Sequence, residues 1–108
     1  MNAPVRARLV EGDTRLDVVI DAPPGNVLTA GVMAALGRVL AAHESTAGLR
    51  CVTLRAAGKN FSFGASVEEH RPALAREMLA AFHGLIRRVG RYPVPVVAAV
   101  QGRCLGGA

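Results

Sequence analysis

The chain has 108 residues, of which 51% are hydrophobic, 19% charged and 4% aromatic. That length and apolar share suit one domain with a real core and exclude intrinsic disorder. A formal charge of +5 leaves three readings for the arginines, namely a solvated helix face, phosphate contacts or nucleic acid, although so few aromatics offer little for single strands to stack on.

No apolar run approaches the roughly 18 residues of a membrane span, and Arg6, Arg8, Glu11 and Asp13 bring charge before any long apolar run, so neither a span nor a signal peptide is expected. Cys51 and Cys104 show no CxxC or metal-ligand spacing; they read as buried free thiols, suited to the cytoplasm.

Val5 to Val10, a turn at Glu11-Gly12-Asp13 and the run Leu16 to Ile20 predict a two-stranded hairpin. Asp21 to Asn26, with two prolines and a glycine, must be a loop. Thr29 can cap a helix that reaches His43, with Val32, Met33, Leu36, Val39 and Leu40 on the face that packs on the sheet. Ser45 to Arg50 connects this helix to a strand at Cys51 to Leu54, which Ala57 to Asn60 terminates.

A second helix is predicted from Pro72 to Val89, stopped by Gly90, with Leu74, Met78, Phe82, Leu85, Ile86 and Val89 at helical spacing. Arg91 to Pro95 forms a stiff link, and Val96 to Val100 reads as a buried strand that runs into Gly102. The order is a ββα unit, a third strand, a helix and a strand, which places the chain in the α/β class.

Two glycine turns could carry chemistry. Phe61 to Ala65 and Gln101 to Ala108 each place small residues where a strand leaves the core, so a free N–H from each could face one pocket and together form an oxyanion hole. Gly102 to Gly107 also suits a phosphate cradle or a purely structural turn, but neither GxGxxG nor GxxxxGK[ST] is present. Ser62 and Ser66 have no paired base that would make either a nucleophile, and His43, His70 and His83 have no mutual metal spacing. His70 follows Glu68 and Glu69, which leaves pocket lining and a solvated helix entry as alternatives.

With Asn26-Val27-Leu28, the Phe-x-x-Gly-Ala turn at Phe61 to Ala65 and the Gly-x-x-x-Gly-Gly turn at Gly102 to Gly107 resemble the motifs of the crotonase family, the enoyl-CoA hydratase and isomerase superfamily. The resemblance covers the whole chain and implies a crotonase-like fold of repeated ββα units. Phe61 to His70 is similar to the branch that hydrates alicyclic dienoyl-CoA thioesters in aromatic (benzoyl-CoA) degradation; His83-Gly84-Leu85 and Cys104 to Gly107 strengthen this, and Ser66 stands where the usual turn has Asp.

By that resemblance the N–H groups of Ala65 and Gly107 are the catalytic oxyanion donors, while Ala65, Ser66, Val67, Glu68 and Gly107 bind the acyl-CoA. Glu68 falls where some relatives carry lysine, and the Asp21 to Gly25 loop lacks a basic residue that many place near the CoA nucleotide. The family's acid and base carboxylates lie beyond Ala108, so residues 1–108 are expected to be the N-terminal part of a longer domain, inactive alone.

No metal and no cofactor is implied, since CoA belongs to the substrate; the expected full-length protein is a homotrimer or hexamer without membrane or nucleic-acid partners. The rival readings are a generic enoyl-CoA hydratase or isomerase, an RNA-binding relative, and a non-catalytic partial domain. A single lysine, Lys59, argues against the lysine-rich face that RNA binding would use.

Overall fold

The computed structural model describes residues 3–66 and 71–108. Strands β1 (Val5–Val10) and β2 (Arg15–Ile20) form the expected antiparallel hairpin, in register from Val5 opposite Ile20 to Val10 opposite Arg15. Glu11, Gly12 and Asp13 make the turn with φ of 55°, 67° and 63°, and Thr14 Oγ1 donates to the Glu11 carbonyl over 2.7 Å.

Helix α1 (Ala30–His43) carries the chain to β3 (Cys51–Ala56), and helix α2 (Pro72–Arg91) carries it to β4 (Val96–Ala98). Both crossovers join parallel neighbours, as such pairs require, and the sheet order is β1-β2-β3-β4.

Strand alternation divides the sheet into two unlike faces. Leu16, Val18, Ile20 and Val52 point inward and are almost fully buried, joined by the α1 side chains Val32, Met33, Leu36 and Leu40. Thr29 caps α1 as expected, its Oγ1 accepting from the Val32 N–H over 3.2 Å.

The other face holds a polar network. Asp17, buried, accepts from Arg55 at both carboxylate oxygens over 3.0 Å each and from Thr53 Oγ1 over 3.2 Å, while Arg15 donates to Thr53 over 2.7 Å. The hydrogen bonds from Arg55 hold the Asp17 carboxyl below the usual range; burial opposes them, and the charge of Arg55, the Thr53 hydroxyl and the charge of Arg15 add to the lowering.

Helix α2 runs past Gly90 to Arg91. It ends at Tyr92 because a residue before proline is driven out of the helical region, and Tyr92 has ψ of 141°. The Tyr92 hydroxyl donates to the Leu40 carbonyl over 2.8 Å, pinning the end of α2 to α1. Burial raises the pKa of that phenol; Glu44 adds to the rise and Arg88 opposes it.

Further expectations from the sequence differ from the structure. β3 extends to Ala56, and β4 stops at Ala98 because, after Ala99 N–H donates to the Leu54 carbonyl over 2.9 Å, Gln101 turns its side chain onto the carbonyls of Ala56 and Gly58. Within residues 1–108 Val97 and Val100 are exposed, β4 being the edge strand of the sheet. Both cysteines are free, but Cys51 is half-buried and Cys104 exposed. Among the described residues no helix is long and apolar enough to cross a membrane.

Candidate active site

Three segments separated in sequence meet at the end of the sheet. The first is the loop before α1, where Asn26 adopts φ of 49° and uses every arm of its side chain. Its Oδ1 accepts from Ala22 N–H over 2.8 Å, and its Nδ2 donates to the carbonyls of Ala57 and Asn60 over 3.0 and 3.1 Å. One buried amide thus ties the loop to the exit of β3; asparagine tolerates that left-handed backbone better than most residues.

The second segment is the turn Phe61 to Ala65. Ser62 is fully buried, its Oγ donating to the Asn26 carbonyl over 2.7 Å and accepting from Gly64 N–H over 3.0 Å. Phe63 N–H donates to the Gly25 carbonyl over 2.9 Å and Leu28 N–H to the Gly64 carbonyl over 2.8 Å. The hydroxyl therefore shapes the turn from inside, a role the sequence did not disclose. A serine so enclosed and doubly bonded cannot reach a substrate as a nucleophile.

The third segment, residues 101–108, lies against the second. Arg103 N–H donates to Asn60 Oδ1 over 2.9 Å, Leu105 N–H to the Ser62 carbonyl over 3.1 Å, and Ala108 N–H to the Leu105 carbonyl over 3.0 Å. Gly64, at φ of 94°, brings its backbone so close that a Cβ would stand 2.6 Å from the Leu105 oxygen, and a Cβ on Gly106 would stand 4.0 Å from Gly64 Cα. Two backbones pass at a distance that glycine permits.

Ala65 and Gly107 are the next residues along each backbone, half-buried and exposed respectively. Among the described residues neither N–H has an acceptor. An apolar cleft of about 220 Å³ opens beside Gly107, with Leu28, Phe61, Phe82, Leu85 and Ile86 in its wall. A backbone N–H beside an apolar hollow, as at Gly107, can hold an oxygen more strongly than in water, because the low dielectric strengthens the hydrogen bond.

The turns singled out from sequence are therefore brought together. Ser66 continues from Ala65, half-buried. Val67, Glu68, Glu69 and His70 lie outside the described residues. His83 is exposed with its ring edge toward Phe82, and His43 meets the Val39 carbonyl within its own helix; among the described residues no group of His, Cys, Asp and Glu could hold a metal.

Arg87, Arg88 and Arg91 occupy the last turns of α2, where positive charge complements the helix dipole, and Arg88 pairs with Glu44. That placement fits the solvated-face reading.

The sequence profile of the enoyl-CoA hydratase/isomerase family matches residues 14–108, and the chain belongs to that family, with the crotonase fold. It is 39% identical over 106 residues to the cyclohexa-1,5-dienecarbonyl-CoA hydratase of Thauera aromatica, covering 98% of this chain and 41% of that protein. A probable enoyl-CoA hydratase of Bacillus subtilis (strain 168) is 33% identical over 94 residues, 83% of this chain and 36% of its own length. The crystal structure of an enoyl-CoA hydratase/isomerase from Xanthobacter autotrophicus Py2 superimposes with a TM-score of 0.86 at 25% identity, over 99% of this chain and 42% of that one. The chain thus spans about two fifths of the length of these relatives.

Proposed function

We propose that the protein carrying this chain adds water to a conjugated alicyclic dienoyl-CoA thioester, a reversible hydro-lyase reaction of aromatic degradation. The observation that supports the reading is the close approach of the two glycine turns, Gly64 against Leu105 and Gly106, next to Ala65 and Gly107, whose N–H groups have no acceptor among the described residues. The likeness to the Thauera aromatica hydratase supports the choice of acyl group.

Water adds to the far carbon of the double bond while electron density moves onto the thioester oxygen as an enolate, which then collapses as the carbon next to the thioester takes a proton. The Ala65 and Gly107 N–H groups hold that oxygen, and one preorganised donor of this kind is worth roughly 10²–10³ in rate. Ser66, Val67 and Glu68 follow the acyl and pantetheine path. General acid and base are supplied from outside these residues, CoA enters as part of the substrate with no separate cofactor, and the working assembly is a cytoplasmic homotrimer or hexamer.

Ala65→Pro is the direct test, because it deletes the N–H while no backbone bond among the described residues depends on that hydrogen. In the protein as its organism makes it, turnover of cyclohexa-1,5-diene-1-carbonyl-CoA should fall by roughly 10²–10³. Undiminished turnover in folded Ala65→Pro protein would overturn the reading. A preference for crotonyl-CoA over the diene would favour the generic hydratase that the Bacillus subtilis relative represents.

A further inference from the structure

The two donor turns have different supports, and one of them is an aromatic side chain on α2. A Cβ placed on Gly107 would stand 2.8 Å from both Cε2 and Cζ of Phe82, so the outer edge of that ring rests directly against the glycine backbone. On the opposite side the same turn meets Gly64, whose own Cβ would stand 2.6 Å from the Leu105 oxygen. Residues 105–107 are thus held between a backbone and an aromatic edge.

The ring is itself well placed. Phe82 is half-buried on the face of α2 that packs against the core, as are Leu85 and Val89, and the end of that helix is fixed by the hydrogen bond from Tyr92 to Leu40. It also forms part of the wall of the apolar cleft at Gly107. An aromatic edge there excludes water without offering an acceptor that would capture the Gly107 N–H.

We infer that Phe82 is the positioning residue of the second oxyanion donor: its ring edge holds the Gly107 backbone, and with it the N–H, in place by steric contact. This rests on the hydratase reading. A Cβ at position 107 would have to displace the ring.

The test is a double-mutant cycle in the protein as its organism makes it, assayed on the dienoyl-CoA. Phe82→Ala should lower kcat by roughly 10- to 100-fold with little change in KM, as misplacement of a reacting group by about 1 Å can cost 10²-fold. Phe82→Leu, which refills much of the space, should recover most of the loss. Gly107→Ala should be nearly inactive, and adding Phe82→Ala to it should restore turnover by removing the clash.

Losses that multiply in the double variant, or a Phe82→Ala protein with unchanged kcat, would overturn the inference while leaving the hydratase reading intact. The reading itself fails separately, through an inactive parent protein or full activity in Ala65→Pro. Then the inference falls with it.

Discussion

The turns at Gly64-Ala65 and Gly106-Gly107, which on the proposed reading supply the two oxyanion donors, lie against each other yet are held in place by opposite means. The first is built around buried polar atoms: Ser62 inside it, Asn26 behind it, and both the N–H and the carbonyl of Gly64 bonded. The second is exposed from Arg103 to Ala108, anchored at its entry to Asn60, and confined further on by Gly64 and the Phe82 ring. A hydrogen-bonded frame fixes direction, whereas an apolar contact mainly fixes position. The pair therefore has one rigid member and one that depends on its neighbour.

The sharpest way to break this asymmetry is Gly64→Ala set beside Gly106→Ala. At Gly64 a side chain meets a backbone oxygen at φ of 94°, and strain together with the collision should cost more than roughly 3 kcal/mol. Gly106 has φ of 54° and no atom closer than 4.0 Å, so only the left-handed backbone is penalised, at about 1–2 kcal/mol. Denaturant midpoints of the two variants measure the difference; equal losses would show that the turns are held alike.

Ser62→Ala comes next. It removes two buried hydrogen bonds and strands the Gly64 N–H and the Asn26 carbonyl, which should cost about 1–3 kcal/mol. On the proposed reading turnover should fall as well, since the turn that carries the Ala65 N–H is loosened. Ser62→Thr adds a methyl group where Ser62 has no exposed surface, so it should not rescue. A Ser62→Ala protein of undiminished stability would remove the polar frame from the explanation.

This asymmetry was only half visible in the sequence. Periodicity disclosed the hairpin and α1, because Leu16, Val18, Ile20, Val32, Met33, Leu36 and Leu40 follow the spacing of a strand or a helix and do face the core. It missed the end of β4, where an unbroken apolar run through Val100 hides the stop at Ala98. It failed also at Gly90, which a helix tolerates; Pro93 set the true boundary through the residue before it. The glycine spacing alone left the second turn open between an oxyanion donor, a phosphate cradle and a plain turn, and family resemblance singled out Ala65 and Gly107. Ser62 and Phe82 were illegible as supports because their partners, Asn26 and Gly107, are distant in the chain and only the fold brings them near.

A control for both turns lies on the other face of the sheet. The Asp17 carboxyl has its pKa lowered in the folded protein, so its contribution is complete above the unfolded value of about 3.9 and is lost as pH falls through the lower, folded value. Thermal midpoints should therefore fall below about pH 4. In Asp17→Asn the midpoint should be lower at neutral pH and its decline in acid shallower. Because the network is separate from the two turns, kcat at neutral pH should be retained. An acid decline as steep in the variant as in the parent would assign that sensitivity elsewhere.

The smallest effect is expected at Gly84, two residues after Phe82. It is helical and exposed, and a Cβ there meets nothing within 4 Å, so Gly84→Ala removes backbone freedom from the unfolded chain without a clash in the folded one. Stability should rise by about 0.5–1 kcal/mol, the usual gap between the two residues inside a helix. The substitution leaves the ring of Phe82 and its contact with Gly107 untouched while stiffening the helix that carries them. If the second turn depends on the position of that ring, kcat should hold or rise slightly as α2 becomes less prone to local opening. A more stable protein with clearly reduced kcat would show instead that motion of α2 is needed during turnover, and the second turn would then owe its function to a helix that moves rather than to one that stays in place.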